Sequence, residues 1–217
     1  MELNIIQKIA VYALPVIFAI TLHEAAHGYA ARHFGDTTAY MLGRISLNPL
    51  RHIDPIGTVL VPLLTLLLGG ILFGWAKPVP VNFSHLRNPK KDMLWVAAAG
   101  PMANLAMAVF WTIMIKLATL MPGNSLALPL FLMGQAGVTI NVVLMILNLL
   151  PLPPLDGGRI AVSLLPHNLA YRFALIEPYG LILLVLLMFS GVLGAILWPF
   201  INLTIRLLSA IFGISLG

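Results

Sequence analysis

Apolar residues in this chain come in long blocks, with the polar residues gathered between them. The first block predicts a helix from about Asn4 to Phe34, stopped by Gly35-Asp36. A stretch rich in turn formers follows, DTTAYMLGRISLNPLRHIDP over 36–55. Residues 57–73 are apolar but short, with Pro62 inside and Gly69-Gly70 near the end; they fit an ordinary span or a re-entrant loop. In GWAKPVPVNFSHLRNPKKD, over 74–92, alternating Val and Pro cannot be helical and predict extended edge strands, a small β-hairpin against the membrane. A long helix is expected over about 92–120, and another from near Leu126 to the break at NLLPLPPLDGG, 148–158. One or two more fill 172–214, split near Gly191–Gly194 or at Trp198-Pro199.

Composition turns these blocks into membrane segments. Residues 93–115, 117–155 and 178–205 contain no Asp, Glu, Lys or Arg, and about 20 apolar residues cross a bilayer. The chain is 60% hydrophobic and 9% charged, where a soluble domain carries about 25% charged residues. The expectation is an all-α polytopic membrane protein of five to six membrane segments, with 57–73 either a span or a re-entrant loop. No repeat or linker divides it, so one domain over 1–217 is expected, with a core over about 4–165 and C-terminal helices over about 172–214. The first apolar block is followed by charged residues and not by a signal-peptide cleavage pattern. With no Cys there is no disulfide or thiolate site. Twelve Lys+Arg against seven Asp+Glu fit loops facing anionic lipid; no basic run interleaved with aromatics points to nucleic acid. Three basic residues at 32–51 and four at 77–91 place both groups in the cytoplasm, which requires 57–73 to enter and leave on one side.

The chemistry lies in TLHEAAHGYAARHFGD, 21–36. His23 and His27 share one face of a helix and can grip one metal ion, with Glu24 beside them as general base. Imidazole suits zinc, and also Fe, Co or Ni. A catalytic zinc usually has three protein ligands and an open position. Of Asp36, Asp54, Asp92, Asp156, Glu177 and the other four His, position favours Asp156: it precedes Arg159 as His27 precedes Arg32, which sets the two at matching depth below one interface. Pro151, Pro153 and Pro154 free the backbone before it and Gly157-Gly158 allow a close turn after it. Asp36 and Asp54 sit among turn residues and read as caps.

HEAAH, AGPMANL and NLLPLPPLDGG, in that order, resemble the signature of the site-2 protease family, zinc intramembrane metalloproteases. GRISLNPLRHIDPIGT and GWAKPVPVN resemble its short one-domain branch, without PDZ or CBS domains. The resemblance covers about 10–165. It implies one zinc ion on His23, His27 and Asp156, with Glu24 as catalytic acid/base. It further implies that Asn104 lies near the substrate carbonyl, where its amide could donate to an oxyanion, and that Asn148 contacts substrate or glues helices. It also places a sheet at Lys77, Val79, Val81 and Asn82, whose edge would hold an unwound substrate through main-chain bonds. The implied activity is cleavage of a membrane-embedded protein substrate near its cytoplasmic end in the cell membrane. The rival class is a transporter or channel with a His/Asp cation site; Glu24 between the two His is what hydrolysis needs and an ion path does not.

Overall fold

The computed structural model describes residues 4–60 and 77–215. Helix α1 (Ile5–His33) starts on a reciprocal cap: the Asn4 side chain accepts from the Gln7 N–H at 2.9 Å and the Gln7 side chain accepts from the Asn4 N–H at 3.0 Å. It ends where Gly35 turns to φ +112° and the Asp36 N–H reaches back to the Ala31 carbonyl at 2.9 Å. A single turn, α2 (Thr38–Met41), follows. Helix α3 (Pro89–Thr119) opens on a proline, which has no N–H to leave orphaned. Then come α4 (Ala127–Asn148), α5 (Asp156–Leu164), α6 (His167–Ala174), α7 (Glu177–Phe189) and α8 (Val192–Phe212). Of the two breaks foreseen in the tail, the glycine is used: Gly191, at φ +75°, separates α7 from α8, whereas Pro199 lies inside α8.

Four helical stretches are long and apolar enough to cross a bilayer: Ile9–His33, Pro89–Thr119, Ala127–Asn148 and Val192–Phe212. The pair α6–α7, bent by 63°, would make a fifth if it acts as one span. The described residues therefore hold four to five spans where five to six were expected. The apolar stretch 57–73, with its re-entrant alternative, falls almost wholly outside the described residues; only a π-helical turn over Pro55–Leu60 is seen at its start. Among the described residues there is no strand. Of the expected hairpin, residues 77–82 form a loop strapped across α1, and Trp75 and Ala76 lie outside the described residues.

Helices α1, α3 and α4 pack on one another most extensively, with α8 against α4. The core is built from Ala108, Trp111 and Ile115 of α3, Val138 and Val142 of α4, Leu184 of α7 and Leu193, Leu197 and Ile201 of α8. Large apolar side chains such as Phe110, Trp198, Phe200, Leu203 and Ile211 point outward, as a lipid-facing surface requires. The C-terminal ends of α1 and α5 and the N-terminal end of α3 meet at one end of the bundle. There the Arg87 N–H donates to the Phe34 carbonyl at 2.9 Å and the Ser163 hydroxyl to the Lys90 carbonyl at 2.6 Å. The two flanks of 61–76 also meet there, the Lys77 N–H donating to the His52 carbonyl at 2.9 Å.

Candidate metal centre

The hydrogen-bond partners of the two α1 histidines decide which ring nitrogens carry protons. His27 Nδ1 lies 2.8 Å from the Val96 carbonyl of α3, which can only accept, so Nδ1 carries the proton. His23 Nδ1 lies 2.6 Å from Asn104 Oδ1. The Asn104 amide nitrogen donates to the Ala19 carbonyl at 3.2 Å and to Asn141 Oδ1 at 3.0 Å. The oxygen of Asn104 therefore faces the histidine, and His23 is also protonated at Nδ1. Both Nε2 lone pairs then point at one place, 3.1 Å apart, with no proton to share.

Asp156 Oδ2 comes to the same place, 3.3 Å from each Nε2, buried and with no hydrogen-bond donor. Two lone pairs and a carboxylate oxygen in mutual contact repel unless a cation lies between them. A tetrahedral zinc with bonds of about 2.0 Å holds its ligand atoms about 3.3 Å apart, which is the spacing seen. The donor set fits such an ion, and among the described residues no other group of three His, Cys, Asp or Glu does.

Local packing makes the site. Asp156 opens α5, and Gly157-Gly158 do not form the turn expected of them. They lie inside α5, where a Cβ on Gly157 would strike the Leu149 and Leu150 carbonyls and one on Gly158 the Pro153 backbone. Their bareness seats α5 against the proline segment and so fixes Asp156. Across the centre, Gly100 of α3 is the bare wall behind both histidines: a Cβ there would meet His27 Nε2 and stand 2.7 Å from His23 Nε2.

Glu24, next to His23 on α1, accepts the Val79 N–H through its Oε2 at 2.7 Å. The strap 77–82 is tied at both ends as well. Arg44 donates to the Lys77 and Pro78 carbonyls at 3.2 and 3.3 Å, and Asp36 Oδ2 accepts the Asn82 N–H at 2.7 Å. Val79 is buried and Val81 packs with Phe34 and Met93 around Ala31, Leu86 and Val96, so neither valine side chain faces outward. Lys77 is exposed. Asp36, read as a cap, does accept from the Thr38 N–H at 2.9 Å, but it is also fully buried and joins α1, α2 and the strap. Burial by itself would raise its carboxyl; the bonds from the Thr38 hydroxyl, the Thr38 N–H and the Asn82 N–H outweigh that and hold it below the usual carboxylate range. Asp54 caps the Ile56 and Gly57 N–H groups at 2.9 and 2.7 Å.

Asn104 differs from expectation. It is fully buried, and both protons of its amide are taken by Ala19 and Asn141, so it presents no donor to an oxyanion here; its oxygen serves His23. Asn148 bonds the Leu144 carbonyl of its own helix at 3.0 Å. Asn141, Val96 and Gly100 are the partners that sequence reasoning missed. An asparagine midway along an apolar helix was a visible signal for Asn141; a main-chain carbonyl and a glycine gave none.

The chain is 37% identical over 208 residues to the protein named "Putative zinc metalloprotease YwhC" of Bacillus subtilis, covering 92% of this chain and 91% of that one. It is 32% identical over 181 residues to "Putative zinc metalloprotease Rip2" of Mycolicibacterium smegmatis, 82% of this chain and 66% of that one. With the Rip2 of Mycobacterium tuberculosis H37Rv the identity is 28% over 193 residues, 85% of this chain and 70% of that one. No family model and no solved structure matches. The likeness to YwhC runs nearly end to end in both chains, and by it this chain belongs to that zinc metalloprotease family.

Proposed function

We propose that this protein is a zinc-dependent intramembrane endopeptidase, hydrolysing a peptide bond in a membrane-spanning substrate near its cytoplasmic end. The observation that carries the reading is the convergence of His23 Nε2, His27 Nε2 and Asp156 Oδ2 within 3.3 Å, with both histidines on a helix able to cross a bilayer and Glu24 next to His23 in sequence. The names of the relatives support the peptidase half of it. His23, His27 and Asp156 would hold the zinc, which would supply Lewis acidity for a scissile carbonyl and for an attacking water near neutral pH. Glu24 takes one proton from that water as its oxygen bonds to the carbonyl carbon, and returns it to the amide nitrogen as the C–N bond breaks. Its Oε2 is held by Val79, which leaves Oε1 for the proton. The substrate is unwound against the strap. Pro78 and Pro80 lack N–H groups, and those of Lys77, Val79 and Asn82 are already given, so the strap meets substrate through the Val79–Val81 backbone, and Lys77 and Asn148 make further substrate contacts.

Purified wild type and Glu24→Gln, each loaded with zinc, should be tested on a panel of single-span membrane proteins. Gln keeps an oxygen for the Val79 N–H and touches no ligand, so zinc content should hold while cleavage falls by ~100-fold or more. Cleavage within a few-fold of wild type rejects Glu24 as the base and reopens the cation-transport reading.

A further inference from the structure

We infer that Asn141, in the middle of α4, is a positioning residue for the metal centre: acting through Asn104, it dictates which nitrogen of His23 is free to bind metal. The inference rests on the reading of His23, His27 and Asp156 as zinc ligands. An asparagine amide can flip end for end with almost no change of shape. If Asn104 flipped, it would turn its NH2 to His23 Nδ1, drive the histidine proton to Nε2 and remove a ligand. Two acceptors oppose the flip, the Ala19 carbonyl at 3.2 Å and Asn141 Oδ1 at 3.0 Å. Asn141 could itself flip, but its amide nitrogen donates to the Gly137 carbonyl at 2.8 Å. The polarity of the whole chain of bonds is thus pinned on main-chain carbonyls of α1 and α4, which cannot turn. Both asparagines are 0% exposed, so water cannot stand in for a lost partner, and an amide buried in an apolar helix is costly unless it is bonded. The arrangement is the outer layer that orients a ligand histidine, extended by one more residue into a neighbouring helix.

The test uses the full chain in detergent micelles, with zinc as the probe: affinity by chelator competition, the visible spectrum of the cobalt-substituted protein, and the histidine tautomer by 15N NMR of metal-free protein. Wild type should bind one zinc, lost in Asp156→Ala; if wild type binds none, the underlying reading fails and this inference with it. Asn141→Leu, close in shape, should weaken zinc by ~10-fold, shift the cobalt spectrum and leave His23 in mixed tautomers. Asn141→Asp keeps an oxygen facing Asn104 and should hold affinity within about threefold, together with the single Nδ1–H tautomer. Zinc affinity and cobalt spectrum unchanged in Asn141→Leu overturn the inference. So does an equal loss in Leu and Asp variants with the tautomer intact, which would assign Asn141 to packing alone.

Discussion

At the scale of single residues, the centre depends on one absence of atoms as much as on its ligands. Gly100 leaves room for both imidazoles, and a methyl group there would enter the space of both Nε2 atoms. Packed interiors relax only in part around such an insertion. Gly100→Ala should therefore weaken zinc by at least ~10-fold, the scale set by disturbing a ligand's support, while metal-free protein melts within a few degrees of wild type. Chelator competition and a thermal melt decide it, and undiminished zinc affinity would show that the histidines have slack. The three groups that converge were legible before any coordinates: His23 and His27 by helical spacing, Asp156 by depth. Their supports were less so, because Val96 contributes a main-chain carbonyl and Gly100 contributes nothing but space. Asn104 was legible as important and misread in role. Sequence shows an amide on the right helix, and only the partners of its two ends say whether it gives protons to a substrate or an oxygen to His23.

Among elements, the strap explains why a pattern that forbids helix did not yield a strand. Val/Pro alternation removes the donors at 78 and 80, and those at 77, 79 and 82 are consumed by His52, Glu24 and Asp36, so the chain pairs no second strand with this segment among the described residues. Helices were read far better, since long apolar blocks bounded by Asn, Gly and Pro mark them directly; α1 and α4 fall within one residue of expectation at their starts. Asp36 is where the strap's stability becomes pH-dependent. Its carboxyl titrates lower in the folded protein than in the unfolded chain, so the folded state binds fewer protons. The stabilisation is complete above the ordinary carboxylate value of about 3.9 and is lost as acid takes pH down through the lower, folded value. Melting temperature in detergent should thus drop for wild type as pH falls below about 4. Asp36→Asn should start several degrees lower, having lost bonds to charge worth about 1.5–3 kcal/mol each, and show a shallower acid decline. Parallel curves for the two proteins would remove Asp36 from that role.

On the whole-molecule scale, charge and connectivity agree about sidedness. Arg32, Arg44 and Arg51 on one segment and Lys77, Arg87, Lys90 and Lys91 on another were assigned to one side from charge alone. Main-chain bonds from Lys77 to His52 and from Arg87 to Phe34 hold those two segments together at one end of the bundle. The turn joining α3 to α4, at the opposite ends of those helices, has no charged residue between Leu117 and Leu126. The positive-inside tendency then predicts that the strap, the end of α1 and the metal centre one to two turns below it face the cytoplasm. The chain has no cysteine of its own, so single cysteines report without background. Leu47→Cys, at a site 59% exposed, and Ser84→Cys, also exposed, should resist an impermeant thiol reagent on intact cells and react after lysis. Asn124→Cys, on the exposed turn between α3 and α4, should react before lysis. Labelling of Leu47→Cys and Ser84→Cys from outside, with Asn124→Cys protected, would invert the orientation and put cleavage at the outer face. Labelling of only one of the first pair would contradict the bonds that tie the two segments together.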